Sequence, residues 1–407
     1  MQKKQPENQP PPKQAKFYPP KLEKRRQTHL KLFVVFGFVL AIANALSAYV
    51  HSLYLAQFVG EENVGFIFSV AYLLVFFAIL KYTKFINWLK IFKASMLIFF
   101  MMIVSLIGLG LSNSFIPVVI SFLSYVVFLS LIWISLDIYV EYFSKDELTG
   151  RIRGIYMTSL HIAWFLAPTA SGQLLKKFNY QFLYLIASVL VFLVMIGFYI
   201  KFRNLKVNHF PKPHFIKAIK SIYKNKLLNG IFVIAFLLQT FYCAFVVYAP
   251  IYLINHIGFE WYQVGIMFTA MLASFVLLTY PAGWLADRYI GEKELLSIGL
   301  LIMGVSAIIF GLANSKSFWV WLAILVCTRI GASLVEIMRD TYFFKRVDVK
   351  DIHIINLFRN TGPLAYIIVT LLATFVLHFF GFQYIFVLAG VLVLTGLWFS
   401  ARIKDTL

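Results

Sequence analysis

Gly110-Leu111-Ser112-Asn113-Ser114 closes one apolar run of this chain, and Gly311-Leu312-Ala313-Asn314-Ser315 closes another, 201 residues later. One such match could be chance, but it belongs to a series. Val64-Gly65 and Val264-Gly265 each open an apolar run, and Asp137 and Glu141 find acidic counterparts 199 residues on in Glu336 and Asp340. Matches at one offset and in one order describe a duplicated unit. Working outward from them, apolar segments fall at 30–56, 64–82, 91–112, 115–142, 154–175 and 180–200, then at 229–255, 261–285, 294–313, 317–342, 354–378 and 382–402. Each is near the ~20 residues that a helix needs to cross a bilayer.

Composition supports that reading. Of 407 residues, 61% are hydrophobic and 13% charged, against roughly 45–50% and about 25% in soluble domains. This excludes a soluble globular enzyme and a disordered or collagen-like chain. The long unbroken runs are unlike the alternating strands of an outer-membrane barrel. Cys243 and Cys327 both lie in apolar runs and form no Cys-x-x-Cys pair, so they read as packing residues rather than a disulfide or metal site. The expectation is an all-α membrane protein with twelve transmembrane helices in two parallel six-helix repeats.

The remaining segments complete the organisation. Residues 1–28, with Pro6, Pro10, Pro11, Pro12, Pro19 and Pro20 among Gln and Lys, read as a disordered tail without the apolar core of a signal peptide. Residues 29–200 form the first bundle, 201–228 a basic linker and 229–403 the second bundle. In the linker, Phe215, Ile219, Ile222 and Tyr223 alternate at helical spacing with Lys217, Lys220, Lys224 and Lys226. This fits a short amphipathic helix on the membrane surface or an ordinary basic linker. With the N-terminus inside, 31 of the 37 Lys and Arg lie in cytoplasmic segments and three in outward loops. The positive-inside bias therefore puts both termini in the cytoplasm. The net charge of +20 is then an orientation and lipid-surface signal that calls for no nucleic-acid partner.

The loop between the eighth and ninth segments reads Gly283-Trp284-Leu285-Ala286-Asp287-Arg288-Tyr289-Ile290-Gly291-Glu292-Lys293. It resembles the signature loop of the major facilitator superfamily, Gly-x-Leu-Ala-Asp-Arg followed by Gly and basic residues. Ile290 is one residue extra, and Glu292 stands where the family usually has a base. The first-half counterpart, Phe85-Ile86-Asn87-Trp88-Leu89, keeps only an Asn at the Asp position. On its own physics, Gly283 would let two helices approach, Asp287 would accept from a helix start, and Arg288 would pair with acids at helix ends. The resemblance implies the family's fold, alternating access, a monomer in the cell membrane and no cofactor. A second stretch, Ala163-x-x-x-Ala167-Pro168-x-x-Ser171-Gly172, is similar to the helix signature of the family's antiporters. It reads equally as small-residue packing with a proline kink.

Ionisable residues inside spans point to function. Asp137, Glu141, Glu336, Arg339, Asp340 and Arg359 lie near the cytoplasmic ends of their segments. With Gly283, Asp287, Arg288 and Gly291 they form either a cytoplasmic gate of ion pairs or static register pairs. Arg329 instead lies near the bilayer midplane, with no acid at its depth. A buried guanidinium needs acceptors, which a substrate carboxylate or phosphate, or backbone carbonyls and water, would supply. Asn44, His161, Trp164, Gln239, Tyr242 and Asn360 share cavity-compatible depth. In the family the first, fourth, seventh and tenth helices line the cavity, which ranks Asn44, Gln239, Tyr242 and Arg329 first. His161 could carry a proton. The histidines are scattered, so no metal site is expected, and no Gly-Lys-Ser/Thr phosphate loop or nucleophile elbow occurs.

These features point to a secondary transporter of a small molecule, an anion among the candidates, by alternating access, with proton antiport and efflux favoured by the fifth-segment pattern. An uptake symporter or uniporter remains the alternative, as does a non-transporting sensor on the same fold. A membrane enzyme is disfavoured because the outward loops are too short to build a water-facing catalytic site.

Overall fold

A computed structural model describes residues 20–143, 149–203, 226–347, 354, 357–358 and 360–403. The first half contains α1 (Pro20–Ala48), α2 (His51–Val59), α3 (Val64–Leu89), α4 (Ile91–Leu111), α5 (Phe115–Phe143), α6 (Thr149–Lys177) and α7 (Tyr180–Phe202). The second contains α8 (Lys226–Cys243), α9 (Trp261–Leu285), α10 (Glu292–Leu312), α11 (Phe318–Arg346), α12 (Thr361–Phe379) and α13 (Gln383–Ala401). Beyond α8 the same span runs on through two π turns, Ala244–Tyr248 and Tyr252–His256, on either side of Pro250. Among the described residues eleven helical stretches are long and apolar enough to cross a membrane. α6 is as long, but Thr158, Ser159, His161, Thr169, Ser171 and Gln173 dilute its apolar character.

The start of the first helix differs from the sequence reading. α1 already begins at Pro20, inside the stretch expected to be disordered. A proline is tolerated in the first turn, where its missing donor is not needed, and Leu22, Glu23, Lys24, Arg25 and Arg26 are good helix formers. The rest of the tail, the amphipathic segment expected at 215–226 apart from its last residue, and Arg359 lie outside the described residues.

The duplication is visible as repeated packing. α1 packs on α5, α6 and α7, as α8 packs on α11, α12 and α13. α4 packs on α5 and α7, as α10 does on α11 and α13, and α3 packs on α5 as α9 does on α11. The glycines that revealed the repeat sit at matching contacts. Gly110 abuts Leu185 and the Gln181 carbonyl of α7, and Gly311 abuts Val387 and the Gln383 carbonyl of α13. Gly65 and Gly265 lie between the halves, where α3 meets α12 and α6 meets α9. A Cβ on Gly265 would stand 2.5 Å from the Pro168 carbonyl oxygen, and one on Gly172 2.8 Å from that of Trp261. Small residues therefore let the two bundles touch backbone to backbone.

An even number of crossings puts the start of α1 and the end of α13 at one end of the bundle, and the far end holds the turns after α2, α4, α6, the π-turned seventh span, α10 and α12. At the far end the halves are joined. Ser69 and Thr370 hydroxyls bond at 2.6 Å and Thr169 donates to Thr269 at 2.7 Å, while deeper, beside the cavity, the Tyr72 and Tyr366 rings meet at 4.3 Å. Phenylalanines such as Phe77, Phe100, Phe192 and Phe375 are exposed on the outside, where a bilayer covers them.

Candidate functional site: a cavity between the halves

Between the bundles lies a cavity of about 240 Å³, room for an ion or small metabolite at ~30 Å³ per water displaced. The first half contributes Tyr49, His161 and Trp164, and the second Gln239, Tyr242, Arg329, Glu336 and Tyr366, over an apolar wall of Val246, Leu272 and Phe275.

Arg329 dominates its electrostatics. The residue is 2% exposed, in mid-α11 and therefore beyond snorkelling distance of either membrane surface. Its guanidinium carbon lies 5.3 Å from the ring centres of Phe241 and Tyr242 and 5.9 Å from that of Phe245. Nε donates to the Met271 sulfur at 3.5 Å, and Nη2 is buried without a hydrogen-bond partner among the described residues. Ring faces stabilise the charge by about 2 kcal/mol when water is excluded, but they accept no strong hydrogen bond and thioether sulfur is a weak acceptor. A desolvated cation with an idle donor costs several kcal/mol, and an anion in the cavity would remove that cost.

Glu336 is the acidic lining residue. It lies two turns along α11 from Arg329, about 10 Å on the helix axis. Its Oε2 accepts from the Tyr242 hydroxyl, so the ring that faces Arg329 also holds the carboxylate by its OH. One cation and one anion thus face the same space with Tyr242 between them.

Of the residues ranked from sequence, Gln239, Tyr242, Arg329, His161 and Trp164 line this cavity. His161 stands 5.8 Å from the Phe275 ring, and Trp164 stacks edge-on against Tyr49. Asn44 does not line it: its Oδ1 accepts from Tyr125 Oη at 3.4 Å, inside the first bundle. Asn360 is buried at the start of α12, apart from the cavity lining. Tyr49 and Tyr366 were not anticipated, because a chain with 22 Tyr and 43 Phe gives single aromatics no signal.

The expected cytoplasmic gate is arranged differently. Glu336 belongs to the cavity because α11 extends to Arg346, leaving it about 15 Å from the helix end. Arg339 pairs with its neighbour Asp340 at 2.6 Å and lies over the Phe358 ring, so this pair sits inside one half. Asp137 does have a polar or charged contact, and the side chains of Glu141 and Asp287 lie outside the described residues.

In the signature loop the extra residue is taken up by a π turn over Ala286–Ile290, and Gly291 (φ 87°) starts α10. Gly283 has open space where a Cβ would stand, so it brings no helices together. Arg288 is exposed and lies over the Trp284 ring, 5.7 Å from its centre, with no acid paired to it among the described residues. The acid in the family's basic position is satisfied from across the loop: buried Glu292 accepts from Lys345 of α11. In the α6 stretch Gly172 and Pro168 lie against Trp261 and Gly265 of α9, while Ala167 packs with Ala45, Leu46, Val50 and Leu183 inside the first half. Among the described residues no cluster of three His, Cys, Asp or Glu could hold a metal ion.

Comparison with known proteins agrees with this architecture. The profile of the Major Facilitator Superfamily matches residues 32–276 and 262–406. A protein described as a probable nitrate transporter, NarT, from Staphylococcus epidermidis is 25% identical over 209 residues, 50% of this chain and 52% of the relative. Its namesake from Staphylococcus haemolyticus is 27% identical over 210 residues, again 50% and 52%. The chain thus spans about half the length of the curated relatives it matches. Among solved structures, a bacterial homologue of the human lysosomal transporter Spinster, inward-facing and occupied, superposes with a TM-score of 0.70 at 12% identity, over 93% of this chain and 97% of that one. A POT family transporter in complex with 5-aminolevulinic acid gives 0.73 at 12% identity, over 91% and 95%. At that identity the likeness is one of fold.

Proposed function

The chain belongs to the major facilitator superfamily, an integral multi-pass membrane family of transporters rather than enzymes, and we propose that it carries a small anion across the membrane by alternating access. The observation that carries this reading is Arg329: a buried guanidinium with an idle Nη2, facing a cavity between two bundles. A compact monovalent anion supplies the missing acceptor and neutralises the charge in one step. Nitrate, named for the relatives above, is of that kind and is the first substrate to test.

Cavity charge also favours one mode of coupling. Without ligand, Arg329 and Glu336 sum to zero. A bound anion leaves the cavity within the membrane with one excess negative charge, which protonation of Glu336 removes. Anion and proton therefore favour each other's binding, and linkage makes that effect mutual. We read the protein as a proton–anion symporter, in place of the antiport suggested by the α6 pattern. The Lys and Arg bias supports a cytoplasmic position for the termini end; reporter fusions to either terminus that report the outside would overturn that orientation.

The test is anion uptake into proteoliposomes under an imposed pH gradient. Uptake of nitrate that falls at least tenfold in Arg329→Gln, with the variant still monodisperse, is the expected result. Undiminished uptake in that variant would remove the anion reading.

A further inference from the structure

At the far end, away from the cavity, one charged side chain of the first half is gripped by two polar groups of the second. Glu61, in the short turn between α2 and α3, accepts from Asn255 Nδ2 at 2.6 Å through Oε1 and meets His256 Nε2 at 2.8 Å through Oε2. The His256 ring lies flat near Tyr252 and 4.5 Å from Phe382, which fixes its direction. The two side chains are 41% and 31% exposed, so protons from that side reach the pair.

We infer that Glu61, Asn255 and His256 form a proton-operated latch that holds the far mouth of the transporter shut. With a neutral ring the contact is one hydrogen bond between halves; with a proton on His256 it becomes an ion pair in addition. Histidine is the side chain whose charge changes between about pH 5 and 8. Acidification on the far side therefore weights the closed state, and by linkage closure favours the protonated ring.

Other titratable groups nearby are placed differently. Glu62 and His378 share a separate surface groove between the turn and α12. Glu260 is engaged in the capping box at the start of α9 with Gln263, and Tyr252 presents its ring. The latch sits at the end of the π-turned part of the seventh span, whose first π turn, Ala244–Tyr248, contains the cavity residue Val246. Tyr248 in that stretch reaches Gly65 and the Thr370 carbonyl across the interface. π turns replace regular helix in short functional pieces, and here the segment joins the cavity wall to the latch.

The experiment measures the far mouth directly. Spin labels on Ser114→Cys and Lys316→Cys, both exposed turns in opposite halves, are placed in full-length protein carrying Cys327→Ser; Cys243 is buried and does not label. Distance distributions are recorded in nanodiscs at pH 5.5 and 8.0, without transported anion. The expected ratio of short to long distances rises about threefold on acidification, the size typical of a partly exposed ion pair. His256→Gln and Glu61→Gln make that ratio flat with pH, while His378→Gln leaves the response intact. A pH-insensitive mouth in the unaltered latch, or a response that survives in His256→Gln, overturns the inference. Hydrogen exchange at 252–256 in unlabelled protein, slower at pH 5.5 than the intrinsic rate change explains, is the independent check; unchanged protection there also contradicts it.

Discussion

The two halves of this protein share a scaffold and differ in chemistry. Their helices pack in corresponding pairs, and glycines at matching positions hold matching contacts. The cavity charges, however, both stand on α11. In the first half, Ser130 occupies the position related to Arg329, and its hydroxyl turns back onto the Val126 carbonyl of its own helix. The turn between the second and third helices differs as well. Gly291 takes φ 87° before α10, and its counterpart before α4 is Lys90 with φ 64°. Behind it, buried Glu292 paired with Lys345 faces the corresponding buried Ile91. Duplication thus preserved what packing requires, because interhelical approach tolerates few residue types, and left cavity and turn free to diverge.

The largest expected effect is on coupling. Glu336→Gln abolishes pH-driven accumulation of anion while sparing anion exchange at equal pH, and Asp137→Asn, its counterpart in the first half, retains accumulation. Both are read in the proteoliposome assay. Equal losses would mean that the charges work as a symmetric pair, which breaks the comparison.

Next comes the loop pair. Lys345→Met removes the ammonium that pairs with the buried Glu292 carboxylate and lowers stability by about 1–3 kcal/mol, followed by thermal unfolding in detergent. Combining it with Glu292→Leu, which imports the apolar solution of the first half, brings the loss back to within about 1 kcal/mol. A double variant as unstable as the single one would show that the second half cannot use that solution.

The smallest effect concerns the strained turn. A non-glycine residue at that φ and ψ is unfavourable by about 1–3 kcal/mol, and glycine's extra freedom when unfolded offsets part of any gain. Lys90→Gly therefore raises stability by about 1 kcal/mol, whereas Gly291→Ala lowers it by a similar or larger amount. Both are read as shifts in Tm.

Much of this was legible in the sequence. The repeat, the spans and the placement of Arg329 at mid-depth follow from periodicity and charge, which depend only on position along a helix. Depth alone misplaced Asn44, since rotation about the helix axis decides between cavity and the Tyr125 contact. Glu336 was put near the membrane surface because α11 runs four residues past the expected apolar segment, where Phe343 and Phe344 precede Lys345 and Arg346. The Glu61–His256 contact spans 195 residues, and no local pattern announces a pairing of that kind.

The most direct test of the central claim is the melting temperature of purified protein with and without nitrate, for the natural sequence and for Arg329→Gln. Ligand bound only by the folded state raises Tm, and removing an uncompensated buried charge does not destabilise the empty protein. A nitrate-dependent rise is expected for the natural sequence, and for the variant an unliganded Tm at least as high with no rise. A variant that melts lower yet keeps the nitrate-dependent rise would show that Arg329 holds the fold together and that the anion binds elsewhere.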